Sequence, residues 1–352
     1  MLAKRVLSRL GRSQVSTKFR LTTLATMNLP PRPPYDPELK AVLDQAFTDG
    51  IPLHFDAADL PTIRKEASSI VSADSILTLN GGGTHEERTI AGPNGDILVS
   101  ILRPSDYDPS KQHAAILFFH PGGMIIGNRF TGLSSLAPYL ASCNAMIISP
   151  EYRLAPEYQA PIPVEDAYTT YKWVGENSMN LGIDPTRLML AATSGGGALC
   201  AGVTLLVCER GGPMVCGQLL VAPMLDDRNE SVSARQFEAE GGQWSTGSNR
   251  FAWDCVLGAR RGTDEVKAFE APGRATDLSG LPPTYLEVGS AEVCRDEIVA
   301  FASKLWESGV QAELHVWGGG WHNFAAHAPD AQVSKTALST RHRWVERLLN
   351  EK

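Results

Sequence analysis

Leu188-Met189-Leu190-Ala191-Ala192-Thr193-Ser194-Gly195-Gly196-Gly197-Ala198-Leu199 joins two patterns with no linker between them. An apolar run stops at Ser194 among glycines, and a small-residue helical pattern (Cys200, Ala201, Val203, Leu205, Leu206) begins at once. A strand, a sharp turn presenting a serine and then a helix read as a nucleophile elbow. The strained backbone at such a serine needs nearly side-chain-free neighbours two residues to either side, and Ala192 and Gly196 stand there. The helix after the turn points its unpaired N–H groups at the space in front of the hydroxyl, where negative charge is stabilised. A phosphate cradle or an ordinary glycine-rich turn has the same local pattern, so the rest of the chain decides.

Outward from this stretch, strands and helices alternate. Continuous apolar runs at Ala114–Phe119, Ala145–Ser149 and 187–192 read as strands covered on both faces. Further strands are expected at Gln218–Ala222, Thr284–Val288 and Ala312–Trp317, with helices near 164–178, 297–309 and 332–350. Earlier in the chain, strands around 86–91 and 97–103 flank the turn signal Gly92-Pro93-Asn94-Gly95-Asp96. Repeated strand–helix alternation predicts a mostly parallel sheet sandwiched by helices. Amphipathic helices at 37–49 and 57–72, and an aromatic-bearing insertion between Pro223 and Pro282, break the alternation. That insertion carries Phe237, Trp244, Phe251, Trp253 and Leu257 and reads as a helical cap over the carboxyl edge of the sheet.

A serine hydroxyl needs a base to take its proton. His322 follows the strand at 312–317 in Trp317-Gly318-Gly319-Gly320-Trp321-His322, where a catalytic loop belongs. The imidazole in turn needs a carboxylate to hold its tautomer. After the strand at 284–288 come Glu292, Asp296 and Glu297; Glu292 lies in the loop proper and is the expected orienting acid, with Asp296 as the alternative. The order serine, acid, histidine separates this arrangement from other serine-enzyme orders. His120-Pro121-Gly122-Gly123-Met124 follows the strand at 114–119 and suits an oxyanion cradle. Gly122 and Gly123 would donate backbone N–H groups there, joined by Gly195 from the elbow, whereas Pro121 has none to give.

Composition sets the limits. The chain has 352 residues, 43% apolar and 20% charged, as expected for a globular protein with a substantial core. A net charge of −7 with no long basic run past the N-terminus argues against a nucleic-acid partner. No apolar run approaches the ~18 residues of a membrane span. Six cysteines are scattered without a C-x-x-C pair and read as reduced thiols of an intracellular protein. No His/Cys pair stands at zinc-ligand spacing, so a zinc site is not expected. Residues 1–26 contain Lys4, Arg5, Arg9, Arg12, Lys18 and Arg20 and no acid, with Leu2, Val6 and Leu10 on one helical stripe. This composition fits a mitochondrial presequence, with a cytoplasmic protein starting at Met27 as the alternative.

Taken together, these residues resemble the hormone-sensitive-lipase-like carboxylesterases of the α/β-hydrolase fold. The resemblance runs from about Asp36 to the C-terminus. It rests on His120–Gly123, Tyr152-Arg153-Leu154-Ala155-Pro156-Glu157, the elbow, Pro223-Met224-Leu225-Asp226-Asp227-Arg228, Gly289–Glu297 and His322. It implies an eight-stranded, mostly parallel sheet flanked by helices, with a cap built from about 35–75 and 229–279 of a hydrolase domain at 27–352. It also implies Ser194 as nucleophile, Glu292 as acid, His322 as base, and Gly122, Gly123 and Gly195 as oxyanion donors, with no cofactor. Pro121, Ala192, Thr193 and Glu292 depart from the usual pattern (glycine, glycine, aspartate and aspartate), but none removes a required chemical group.

The expected activity is cleavage of short- to medium-chain carboxylic esters. An amide or lactone hydrolase resembling an arylformamidase is the alternative, and a hydrolase-fold binding protein without turnover is a third. The expected partner is a small-molecule ester, with a homodimer left open.

Overall fold

A computed structural model describes residues 29–48, 56–67, 72–238 and 242–350. The basic extension at 1–26 lies outside these residues. Leu29 and Pro30 are the only described residues of the segment up to Pro30, and they form no helix or strand. The unit that begins at Pro31 holds every helix and strand described below.

The strands are β1 (Gly83–Ile90), β2 (Ile97–Pro104), β3 (His113–Phe119), β4 (Met146–Pro150), β5 (Ile183–Thr193), β6 (Gly217–Val221), β7 (Thr284–Gly289) and β8 (Ala312–Trp317). They form one sheet of eight strands in the order β1-β2-β4-β3-β5-β6-β7-β8. β1 pairs antiparallel with β2, and β2 with β4; every pairing from β4 to β8 is parallel. The chain is therefore an α/β protein with a mostly parallel eight-stranded sheet, as its strand–helix alternation implies.

Helices cover both faces. They are α1 (Pro37–Thr48), α2 (Leu60–Ala67), α3 (Ala73–Leu79), α4 (Pro138–Ser142), α5 (Ile162–Glu176), α6 (Ser178–Leu181), α7 (Gly195–Arg210), α8 (Val232–Gln236), α9 (Thr246–Leu257), α10 (Arg295–Glu307), α11 (Phe324–His327) and α12 (Gln332–Leu349). Alternation along the central strands splits the core into two layers. Leu117, Phe119, Leu190, Ala192 and Leu220 pack with Val164 of α5 and Leu199 and Val203 of α7. Ile116, Phe118, Met189, Ala191, Leu219 and Val221 pack on the other face with Tyr139 and Leu140 of α4 and Trp344 and Val345 of α12.

Several elements differ from expectation. The helix expected over 57–72 is Leu60–Ala67, and a separate α3 follows it, capped by Ser72. The elements α4, α6 and α11 are four or five residues long, too short for an apolar period to register. The described residues of the insertion after Pro223 hold α8, α9 and two short 3-10 turns, and no strand.

One topological feature places the site. The chain steps from β3 outward to β4 and then returns to the other side of β3 as β5. At such a switch point the loops leaving neighbouring strands diverge and open a crevice at their carboxyl ends. Phe119 of β3 lies opposite Ala192 of β5, so the turns after them, Pro121–Met124 and Ser194–Gly197, meet there.

Candidate active site

At the end of β5 the backbone turns sharply. Ser194 has φ 55° and ψ −123°, a conformation costly for any residue with a side chain. Its N–H donates to the Val221 carbonyl at 2.9 Å, and its carbonyl accepts from Gly197 and Met224. Close backbone approach explains the glycines that follow. A Cβ on Gly196 would lie 2.2 Å from the Phe119 carbonyl oxygen, and one on Gly195 would lie 2.5 Å from the Gly123 amide nitrogen. Turn and helix are thus wedged against the end of β3.

His322 comes from the loop after β8. Gly289 and Gly320 touch so closely that a Cβ on Gly289 would sit 2.0 Å from the Gly320 carbonyl oxygen. Trp321, fully buried beside His322, packs with Leu39 and Leu43 of α1 and donates its Nε1–H to the Leu39 carbonyl at 3.1 Å. The Asp36 N–H reaches the Gly319 carbonyl at 3.0 Å. Helix α1 therefore acts as a brace under the histidine loop.

These loops bring the three expected side chains together. Ser194 Oγ lies 2.8 Å from His322 Nε2, and His322 Nδ1 lies 2.6 Å from Glu292 Oε2. Glu292 is fully buried, and Ser194 and His322 nearly so. A carboxylate can only accept, so Nδ1 carries the proton and Nε2 presents a lone pair to the serine hydroxyl. Asp296, the alternative acid, points elsewhere: its carboxylate accepts from the Ser233 N–H at 2.7 Å and from Arg295 Nε at 2.7 Å. Glu297 is buried and accepts from the Leu225 N–H at 2.8 Å, and burial holds its carboxyl well above the usual range.

The glycine loop after β3 faces the serine. Gly122 and Gly123 have φ of 120° and 60°, which glycine adopts freely. Their N–H groups make no hydrogen bond among the described residues, while the Gly122 carbonyl accepts from Ile125 and Ile126. Gly195 opens α7, so no carbonyl one turn earlier is available to its N–H. Under this loop His120 donates from Nδ1 to the Pro121 carbonyl at 2.8 Å and stacks on Tyr152, with centroids 4.1 Å apart. Tyr152 OH donates to the His120 carbonyl at 2.8 Å, and the Ala155 N–H reaches Met124 O. Burial lowers the His120 pKa to about 4, so the ring is neutral at pH 7.

A cavity of about 390 Å³ opens over the serine. Trp244, from the insertion, lies on its wall, 6.2 Å from the His322 ring and against Gly123. No residue of α1 to α3 lines it. Two wall residues were not singled out from the sequence. Glu287 of β7 and Arg341 of α12 form a buried ion pair, and Tyr285 OH donates to Glu287 at 3.0 Å. A lone acid in an apolar strand was the only signal for Glu287, and nothing in the sequence pairs it with Arg341.

A family model described as the alpha/beta hydrolase fold matches residues 116–326. The chain belongs to that family. By that match, this hydrolase falls in the hormone-sensitive-lipase-like branch. It is 30% identical to carboxylesterase NlhH of Mycobacterium tuberculosis over 307 residues, covering 85% of this chain and 92% of that one. Esterase LipI of the same organism is 30% identical over 64% of this hydrolase and 70% of its own length. The solved structure of esterase LipW from Mycobacterium marinum superimposes with a TM-score of 0.79 at 27% identity, covering 91% of this hydrolase and 99% of that chain.

The fold also draws Cys294 beside the site, a proximity that ligand spacing in the sequence does not reveal. Ligand atoms of Glu292, Cys294 and His322 lie within 4.8 Å of one another. Both imidazole nitrogens are already engaged, by Glu292 and Ser194, and the buried thiol is held in its protonated form. All six cysteines are free. No helix among the described residues is long and apolar enough to cross a membrane.

Proposed function

We propose that Ser194, His322 and Glu292 are the nucleophile, base and orienting acid of a serine carboxylesterase acting on short- to medium-chain esters. The chain is a carboxylic-ester hydrolase of the alpha/beta fold, and one observation supports this assignment of roles above the others. A hydroxyl, an imidazole and a carboxylate stand in line at 2.8 and 2.6 Å, beside unpaired glycine N–H groups and under a cavity.

Ser194 Oγ attacks the ester carbonyl carbon while its proton passes to His322 Nε2. The carbonyl oxygen gains the negative charge and is held by the N–H groups of Gly122, Gly123 and Gly195. The imidazolium, steadied by Glu292, returns the proton to the alkoxy oxygen, the C–O bond breaks and the alcohol leaves. Water then adds to the acyl-enzyme by the same route: His322 takes its proton and returns it to Ser194 as the acid departs. The helices within 35–75 and the insertion at 229–279 form the cap in this reading, the insertion as wall and α1 as brace.

The substrate in this reading is a small-molecule ester. A net charge of −7 disfavours nucleic acid. Residues 1–26 are read as a presequence of a mitochondrial protein, and light scattering distinguishes a monomer from a homodimer. Intact mass after fluorophosphonate treatment tests the assignment: one adduct is expected on the wild type and none on Ser194→Ala. The same spectrum, on protein from its native cells, shows whether the basic extension has been removed. A panel of p-nitrophenyl esters, N-formyl amides and lactones then ranks the scissile bonds. Absence of the adduct from folded wild type, or its presence on Ser194→Ala, refutes the nucleophile.

A further inference from the structure

The cavity does not end at the serine. Thr193, Val221 and Glu287 lie in register on β5, β6 and β7. Strand alternation turns all three toward the α4 and α12 face, where all three line the cavity. Two inter-strand steps separate Thr193 from Glu287, about 10 Å. From α12, Arg341 joins Glu287 at this buried end of the cavity.

The chemistry of that end is unlike an ordinary acyl pocket. Each Glu287 carboxylate oxygen accepts from one donor, Arg341 or the Tyr285 hydroxyl, and the ion pair has no net charge. Arg341 stays protonated, and its buried Nε–H has no partner among the described residues. The Thr193 side chain, half-buried, lines the same wall. A hydrocarbon arm would leave that buried N–H unmet, which is costly; an oxygen acceptor on the arm would satisfy it. A carboxylate would shed its hydration to enter a site where the Arg341 charge is already offset by Glu287, a cost that an uncharged oxygen does not meet.

We propose that the deep end of the cavity is a specificity subsite for an uncharged oxygen on one arm of the ester, such as a ketone, a hydroxyl or a second ester carbonyl, received by Thr193 and the Nε–H of Arg341. The subsite rests on the esterase reading above. It makes the substrate a doubly oxygenated ester rather than a plain alkyl one.

The test compares kcat/KM within matched pairs, corrected for hydroxide rates and normalised to Ser194 titrated with fluorophosphonate. p-Nitrophenyl 4-oxopentanoate against p-nitrophenyl pentanoate probes the acyl arm; 3-oxobutyl acetate against butyl acetate probes the alcohol arm. In wild type at least one oxo ester is favoured roughly tenfold or more, and p-nitrophenyl hemiglutarate is poorer than both acyl probes. Thr193→Val lowers the favoured ratio, and Glu287→Leu/Arg341→Met, which keeps the end packed and uncharged, brings it to about one. Should the double variant fail to fold, the wild-type pairs and Thr193→Val still decide. Plain esters matching or beating both oxo partners would overturn the subsite, as would hemiglutarate coming out best. Turnover of the parent esters without oxo preference sinks the subsite alone. No ester turnover and no labelling sinks the esterase reading with it.

Discussion

Two buried glutamates, Glu287 on β7 and Glu292 in the loop just past it, meet partners of opposite character. Glu292 holds an imidazole, which can take a proton from Ser194 and hand it back. Glu287 holds a guanidinium, which does neither. The same carboxylate chemistry thus supports proton transfer at one end of the cavity and fixed recognition at the other. What separates the two is the partner the fold delivers, from the β8 loop in one case and from α12 in the other.

The largest effect expected is on the relay. Ser194→Ala and His322→Ala should each lower kcat/KM by at least about 10⁴-fold with the fold intact, read by steady-state kinetics and circular dichroism. Glu292→Gln should cost less, roughly 10³- to 10⁴-fold, because an amide supports the wrong tautomer while keeping the packing. If Glu292→Gln were near wild type, the two glutamates would not differ in kind.

At the other end the loss should appear in stability rather than in proton transfer. Glu287→Ala strands the Arg341 charge in a buried site and should cost about 3–5 kcal/mol in urea unfolding. Glu287→Leu/Arg341→Met, which removes both charges, should cost much less. Equal losses in the two variants would show that the ion pair is not the feature being disturbed.

The two imidazoles near Ser194 sharpen the contrast. His120 donates to the Pro121 carbonyl rather than to a carboxylate, and burial holds its pKa down to about 4. The unfolded chain takes that proton near 6.5, so it binds more protons than the folded chain in between. Stability from this group is therefore full above pH 6.5 and falls as pH drops toward 4, by roughly 3 kcal/mol. His120→Gln should flatten that acid limb in urea titrations between pH 7 and 4.

The smallest effect concerns Glu297, whose raised pKa has the opposite sign. The unfolded chain releases this proton near 4.5 while the folded chain keeps it, so stability is lost as pH rises above 4.5. Glu297→Gln keeps an acceptor for the Leu225 N–H and should raise Tm at pH 8 by about 2–4 °C, and less at pH 5.

Much of the fold and the site was legible in the chain itself. The apolar run into Ser194, the glycines after it and the glycine loop after β3 are local features, because each answers a backbone demand within a few residues. The Ser194, Glu292 and His322 positions could be picked out because parallel strands place their following loops at one sheet edge. The choice between Glu292 and Asp296 was harder, since both lie in the stretch just past β7 and side-chain direction separates them. The brace from α1 to Trp321, the Trp244 wall and the short helices left little or no trace in any periodicity.

The sequence alone, then, specified the strand–helix order, the elbow and the set of groups able to move a proton, because local sterics and hydrophobic period act over neighbouring residues. Tertiary structure alone decided which partner each buried carboxylate meets and how far the cavity reaches past the serine. Those depend on side chains from β7 and α12, 54 positions apart, finding each other across the sheet, and no local pattern records such a pairing.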